Sequence, residues 1–185
     1  MATEAAITAF IGVGSNIEPD IHIPQALERV HQIGRVTGVS TFYQTLPLRH
    51  KGQPLFTNGV WRIETSIPPR SLKYDWLRVI ESDLGRVRVS DRYAPRTIDL
   101  DIVLHGEALI DEPGLTIPDP DIRLRPFIAL PLLELEPHLV LPDTREPLAL
   151  IARQFDKTAL KPAVELTRHL KQSVLSRESD NHGSL

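Results

Sequence analysis

Asp99 and Asp101 lie two residues apart, and Arg86, Arg88, Arg92 and Arg96 precede them in a stretch, 85–104, that holds no lysine. Ile98, Leu100, Ile102 and Leu104 alternate with the two aspartates, the period of a half-buried strand. Side chains two apart on a strand share a face, so both carboxylates project together, opposite an apolar face. Adjacent carboxylates repel each other unless a cation or a proton intervenes. A hard divalent cation meets that need, because Mg²⁺ takes carboxylate oxygens and keeps positions open for phosphate. Guanidinium is permanently charged and grips phosphate oxygens in pairs, whereas lysine acts as a point charge. The stretch therefore reads as a magnesium–polyphosphate site. The blander reading of the same residues is a solvated strand face with surface ion pairs.

The elements that must position these groups follow from apolar spacing. Residues 7–13 are an apolar run that reads as a buried strand, ending at the turn Gly14-Ser15-Asn16. Gly12-x-Gly14 resembles the start of a dinucleotide fingerprint, but position 17 is Ile, so that signal is weak. Ile23, Ala26, Leu27 and Val30 have helical spacing with Gly34 as a stop. A strand is expected over 36–44, a loop over 46–54 and a strand over 56–65. On that last strand Trp61 and Ile63 share one face, and Asn58, Val60 and Arg62 the other. Pro68-Pro69 opens a helix whose stripe is Leu72, Trp76, Ile80 and Leu84, widened by Leu77 and closed by Gly85. The arginine loop and the aspartate strand come next. The order β-α-β-β-α-β predicts an α+β fold with a ferredoxin-like core. Its antiparallel sheet carries helices on one face, and Asp99 and Asp101 look out from the other. Short strands over 107–110 and 115–117, a turn at Pro118-Asp119-Pro120-Asp121, and helices over 127–135 and 147–155 are expected beyond it. Ala163, Leu166, Leu170 and Val174 continue at helical spacing, and the polar tail from Ser176 reads as disordered.

At 185 residues the chain is one domain, or one domain and a tail. It has no cysteine, which excludes disulfides, thiolate metal sites and a thiol nucleophile. Met1-Ala2-Thr3-Glu4 lacks a positive leader region, and no apolar run is long enough to span a bilayer. A cytoplasmic location is the expectation. A net charge of -3 with pI ≈ 6.2 argues against a nucleic-acid stripe. The local basic cluster suits a small anion.

The segment 85–106, with Pro95-Arg96-Thr97-Ile98-Asp99-Leu100-Asp101 at its centre, is similar to the signature of the 6-hydroxymethyl-7,8-dihydropterin pyrophosphokinase family (2-amino-4-hydroxy-6-hydroxymethyldihydropteridine diphosphokinases). The likeness runs over about 7–155. It implies a pyrophosphokinase domain at 1–155 and a C-terminal extension at 156–185, helical and then disordered, on which it is silent. It further implies an ATP-dependent diphosphotransferase of folate biosynthesis, moving pyrophosphate from ATP to 6-hydroxymethyl-7,8-dihydropterin and releasing AMP. By resemblance Asp99 and Asp101 are the ligands of Mg²⁺, two ions in all. Arg86, Arg88, Arg96 and Arg125 hold the triphosphate, with Arg88 and Arg96 counted as catalytic beside the aspartates. Glu81, Ile102 (through its backbone) and Thr116 lie near the nucleotide. Thr45, Leu48, Phe56, Asn58 and Phe127 form the pterin pocket. Residue chemistry agrees, since two aromatic faces suit a flat heterocycle and an Asn amide suits its polar edge.

Three positions depart from the family pattern. Pro118-Asp119-Pro120 stands where many members have Pro-His-Pro. Tyr93 replaces the usual Trp of the arginine loop, and Arg49 stands where Gly is common. The competing reading is a ferredoxin-like module that binds pterin or nucleotide without turnover. An RNA-binding module would want an aromatic-rich third strand, which 56–63 does not supply. The expected partners are therefore the two small substrates, with neither nucleic acid nor membrane. The sequence does not fix an oligomeric state; a monomer is the expectation.

Overall fold

One apolar strand sets the frame of the structure, a computed structural model that describes residues 5–47, 52–91 and 93–182. This strand, β1 (Ile7–Ser15), buries Ala9, Phe10, Ile11 and Val13. It pairs antiparallel with β4 (Phe56–Thr65) on one side and with β5 (Asp99–His105) on the other. The expected strand 36–44 is two strands laid end to end along β4. They are β2 (Arg35–Val39) and β3 (Tyr43–Thr45). Ser40 breaks the ladder between them. Its backbone N–H donates to Val60 O at 3.0 Å while its hydroxyl accepts from Val60 N at 2.9 Å. The side chain thus replaces a ladder acceptor, and Phe42 turns fully into the core. A two-residue strand, β8 (Lys161–Pro162), adds to the free edge of β3. The result is a mixed α and β fold around a six-stranded antiparallel sheet in the order β5-β1-β4-β3-β8, with β2 also on β4.

One face of the sheet buries the larger core beneath helices. In α1 (Pro19–Val30), Ile23, Ala26, Leu27 and Val30 point inward as their spacing predicts. The second helix runs over 69–83 as α2 (Pro69–Ser71), a π-helical stretch (Leu72–Leu77) and α3 (Arg78–Asp83). The π turn changes which residues face the sheet. Leu72 and Leu77, five apart, are both buried, whereas Trp76 of the expected stripe is 43% exposed. The same turn buries Lys73. Gly85, at φ 79, ends the helix in a Schellman turn: Gly85 N donates to Ser82 O and Arg86 N donates to Glu81 O, both at 3.0 Å. The chain is thereby reversed over Glu81.

The opposite face is half covered, where the sequence left it to loops and ligand. There α4 (Pro126–Leu135) and α5 (Leu148–Ala152) pack on Phe10, Val60, Val103 and Leu104. Leu104 joins this second core, not the face of Ile98, Leu100 and Ile102. The reason is a bulge: β5 pairs Ile102 with Ile11 but Leu104 with Phe10, leaving Val103 as an extra residue that ends the alternation. A separate hairpin joins β6 (Ile110–Glu112) to β7 (Leu115–Ile117), so the first of these strands starts at Ile110 rather than at 107.

The C-terminal extension docks on the sheet edge. Phe42 N donates to the Thr167 hydroxyl at 2.9 Å, and Ala163 N donates to Phe42 O at 2.8 Å. A long helix, α6 (Val164–His182), buries Leu166, Leu170 and Val174 and continues past Ser176, where a disordered tail was expected. No helix among the described residues is long and apolar enough to cross a membrane.

The close approach of Phe42 to β4 gives a stability test. A Cβ on Gly59 would stand 2.6 Å from the Phe42 ring, which is itself fully buried. Gly59→Ala should cost about 2 kcal/mol by overpacking and lower the melting temperature by about 5 °C. Thermal and urea unfolding measure both; an unchanged midpoint would mean that the ring has room to move.

Candidate active site

The register of the sheet builds the floor of the site. Asp99 and Asp101 of β5 stand opposite Gly14 and Gly12 of β1, and Gly14 also stands opposite Asn58 of β4. No side chain rises from the middle strand between the carboxylates and the amide. A Cβ at Gly14 would come within 2.6 Å of Asn58 Oδ1, and one at Gly12 within 3.1 Å of Val103 Cγ2. Gly12-x-Gly14 is therefore a bare floor, not a turn for a dinucleotide, and β1 runs straight on through Ser15. Above it lies an open cavity of about 600 Å³. Asp99 and Asp101 line it together with the cationic Arg86, Arg88 and Arg96 and with Thr45, Phe56, Asn58 and Phe127. These residues come together as the sequence reading required.

A buried carboxylate anchors the cationic wall. Glu81 side-chain exposure is only 2%, and Glu81 accepts from Leu100 N at 2.8 Å and from the guanidinium groups of both Arg86 and Arg88. Burial raises its pKa and Asp99 adds to that, while Arg86, the Leu100 N–H and Arg88 pull the other way. Arg86 also pairs with Asp99, whose other oxygen takes Arg96 at 2.6 Å. Burial pushes the Asp99 carboxyl up, but Arg86 and Arg96 outweigh it and hold the group below the usual range.

Neutral groups fix the loops around this network. The buried Asn16 side chain accepts from Arg96 N at 2.8 Å, its backbone N–H donates to Arg96 O at 3.2 Å, and its Nδ2 reaches Gln53 Oε1 at 3.4 Å. Gln53 in turn donates to Tyr93 O at 3.2 Å. The loop before β4 and the arginine loop are thus tied through Asn16, which the sequence reading took for a turn residue. Asn58 Nδ2 donates to the Thr45 hydroxyl at 2.8 Å, which leaves its carbonyl oxygen toward Gly14. The Arg96 guanidinium sits 5.7 Å from the centre of the Phe56 ring.

Two further charges stand on the same floor. Lys73 pairs with Asp101 and lies 3.4 Å from Leu100 O. Sequence reasoning missed it because the expected stripe has a 3.6-residue period and the helix here has a π turn. Asp119 caps a 3₁₀ turn (Pro120–Ile122), accepting from Asp121 N at 2.8 Å, and lines the cavity. Burial raises its pKa to about 6, with Asp101 and Asp121 adding to the rise and the Asp121 N–H and Lys73 opposing it.

Several expected site residues lie elsewhere. Glu81 is behind the arginines and off the cavity wall, so it positions the wall rather than lining it. The Ile102 side chain is buried in the larger core, leaving only its backbone near the site. Thr116 is exposed on β7, away from the cavity wall. Arg125 stands back from that wall, with its Nε 3.6 Å from Asp121, which does line the cavity. Leu48, Arg49 and Arg92 fall outside the described residues.

Comparisons with known proteins agree with this geometry. The family model for 7,8-dihydro-6-hydroxymethylpterin-pyrophosphokinase matches residues 10–137. A 2-amino-4-hydroxy-6-hydroxymethyldihydropteridine pyrophosphokinase of Haemophilus influenzae is 38% identical over 158 residues, 84% of this chain and 98% of its own. Its namesake in Pseudomonas aeruginosa is 42% identical over 139 residues, 74% of this chain and 85% of its own. Among solved structures, Plasmodium falciparum HPPK-DHPS wild type with pteroate superposes with TM-score 0.65 at 12% identity. That match covers 83% of this chain but only 43% of the other, and it speaks for the fold alone.

Asp119 offers a pH test of the electrostatics. Its carboxyl titrates at about 6 in the folded chain and near 3.9 in an unfolded one. Between those values the folded state holds the extra proton, so this group makes stability fall as pH rises from about 4 to about 6. Asp119→Asn removes the charge and keeps an acceptor for Asp121 N–H. The variant should be the more stable protein at pH 7.5, and its advantage should vanish below about pH 4. Urea unfolding of both proteins in the presence of a chelator measures this; a pH-independent difference would exclude the carboxyl as its source.

Proposed function

The chain belongs to the 7,8-dihydro-6-hydroxymethylpterin-pyrophosphokinase family, and from that premise we infer how its cavity works. It is an ATP-dependent pyrophosphokinase of folate biosynthesis, transferring pyrophosphate from ATP to 6-hydroxymethyl-7,8-dihydropterin and yielding AMP and the pterin diphosphate. The observation that carries the assignment of roles is the meeting of the aspartate pair and three arginines with Asn58 and two phenylalanines over one glycine floor.

In the proposed arrangement the pterin lies between Phe56 and Phe127 with its polar edge on Asn58, whose amide Thr45 orients. Arg86, Arg88 and Arg96 take the triphosphate. The pterin hydroxyl oxygen attacks the β-phosphorus, the bond from that phosphorus to the α-phosphate oxygen breaks, AMP leaves, and the hydroxyl proton is lost. Asp99 and Asp101 are the proposed holders of Mg²⁺, two ions in all. Their fit is supported by their shared face, by side chains 25% and 49% exposed, and by protein cations already balancing both. Two carboxylates leave such an ion positions to complete its shell with phosphate and water. Bound there, Mg²⁺ supplies charge that offsets the phosphates. The rest of the rate comes from positioning and from preset positive charge.

The finer fold reading joins this proposal. The sheet order, with β1 between β4 and β5, supports a ferredoxin-like core at 1–155 followed by an extension at 156–185. A monomeric, cytoplasmic enzyme acting on two small molecules, without nucleic acid or membrane, completes the proposal, and the net charge of -3 speaks against a nucleic-acid partner.

Asp99→Ala and Asp101→Ala should each lower the rate of AMP formation from Mg·ATP and the reduced pterin alcohol by about 10² or more. Circular dichroism should report an intact fold for both. Near-parental turnover by either variant at limiting Mg²⁺ would remove the aspartates from the site.

A further inference from the structure

Asp101 is held by the protein's own cation. Lys73 enters from the helix side of the sheet, through the π turn that rotates it inward, and its side chain is only 10% exposed. Its ammonium emerges at the cavity, against Asp101 Oδ1 and 3.4 Å from Leu100 O. A lysine buried this deeply is uncommon unless paired. A π turn inside a helix is also rare and concentrates at functional positions. Here it has a definite effect, because a regular helix would have kept Trp76 in the stripe. An ammonium carries three donors. Asp101 and Leu100 take two, which leaves one for an oxygen bound in the cavity.

We propose that Lys73 is a nucleotide-phosphate-binding residue that stands on Asp101 until the metal–nucleotide complex arrives. This deepens the pyrophosphokinase reading and rests on it. A divalent cation arriving alone must compete with the ammonium for Asp101 and would then stand beside its positive charge. A cation arriving with a triphosphate brings the ammonium a new anionic partner. Lys73 therefore opposes binding of the bare metal and favours binding of the metal with its nucleotide. The two effects have opposite signs, which a purely structural counter-ion would not produce.

The test uses the full chain and two probes. Calorimetric titration with α,β-methylene-ATP in Mg²⁺ reads nucleotide affinity, since that analogue cannot break between its α- and β-phosphates. Paramagnetic resonance with Mn²⁺ alone reads the bare metal. Lys73→Met keeps the apolar stem and removes the charge. It should weaken the analogue about tenfold, the loss of one charge-assisted contact, and tighten Mn²⁺ severalfold. Lys73→Arg keeps the charge and should hold the analogue within about threefold of the parent. Lys73→Gln carries the same expectation as Lys73→Met and decides the matter if the latter does not fold. Unchanged affinities, or parallel loss of both probes, would overturn the proposal. If the parent itself does not bind the analogue with Mg²⁺, the pyrophosphokinase reading falls and this inference falls with it.

Discussion

The buried carboxylate of Glu81 is the constraint on which the site depends. It closes three contacts in one place: the backbone of β5 at Leu100 and the guanidinium groups of Arg86 and Arg88. The Schellman turn at Gly85 makes this possible, because it brings the chain back over the residue whose carbonyl it has just capped. A carboxylate so deeply buried is costly on its own. The two arginines offset that cost, and in return they are held at the cavity before any anion is present. Electrostatic groups fixed in advance need no reorganisation when charge arrives.

The floor imposes the second condition. Side chains on the middle strand would fill the space between the carboxylates and the Asn58 amide, so β1 must be bare at two alternate positions while its other face stays apolar. Gly12 and Gly14 meet the first demand, and Ile11 and Val13 the second. The half of that face beyond the bulge at Val103 is given to α4 and α5 instead. On that face Phe10, Val60 and Val103 make the core and Gly12, Gly14 and Asn58 the cavity, and the extra residue in β5 adds Leu104 to the core.

Patterns with one clear period were legible in sequence. The aspartate pair, the stripe of α1 and the two faces of β4 follow from periods of 2 or 3.6 and the arginine loop from its lysine-free run of guanidinium groups, and the structure brings Asp99, Asp101, Arg86, Arg88 and Arg96 together as expected. What escaped were the places where the period breaks. The π turn moved Trp76 out and Lys73 in, the bulge moved Leu104 to the other core, and Ser40 divided one strand into two. Cross-strand register was invisible for a different reason: it is a long-range property. Gly12 and Gly14 become a floor only when set against Asp101, Asp99 and Asn58, and Asn16 becomes a tie only when Arg96 is beside it. The extension was legible in its apolar spacing at Leu166, Leu170 and Val174. Its helix outruns that spacing, with Arg177 pairing to Glu28 beyond Ser176.

Both carboxylates of the pair have protein cations as partners: Asp99 has Arg86 and Arg96, and Asp101 has Lys73. Without such partners two carboxylates on one strand face would repel each other, and at least one would tend to take a proton. On the proposed reading, ligand binding is then an exchange of partners within a network that starts and ends nearly neutral. The guanidinium groups pass from carboxylate to phosphate oxygens while the carboxylates pass from protein cations to metal. Neither half of the exchange is favourable alone, because a displaced ion would be left in a partly dry cavity. Both halves together conserve the number of opposite-charge contacts. Such a site discriminates against free phosphate and against free metal by the same physical means, and it favours the complex that brings both.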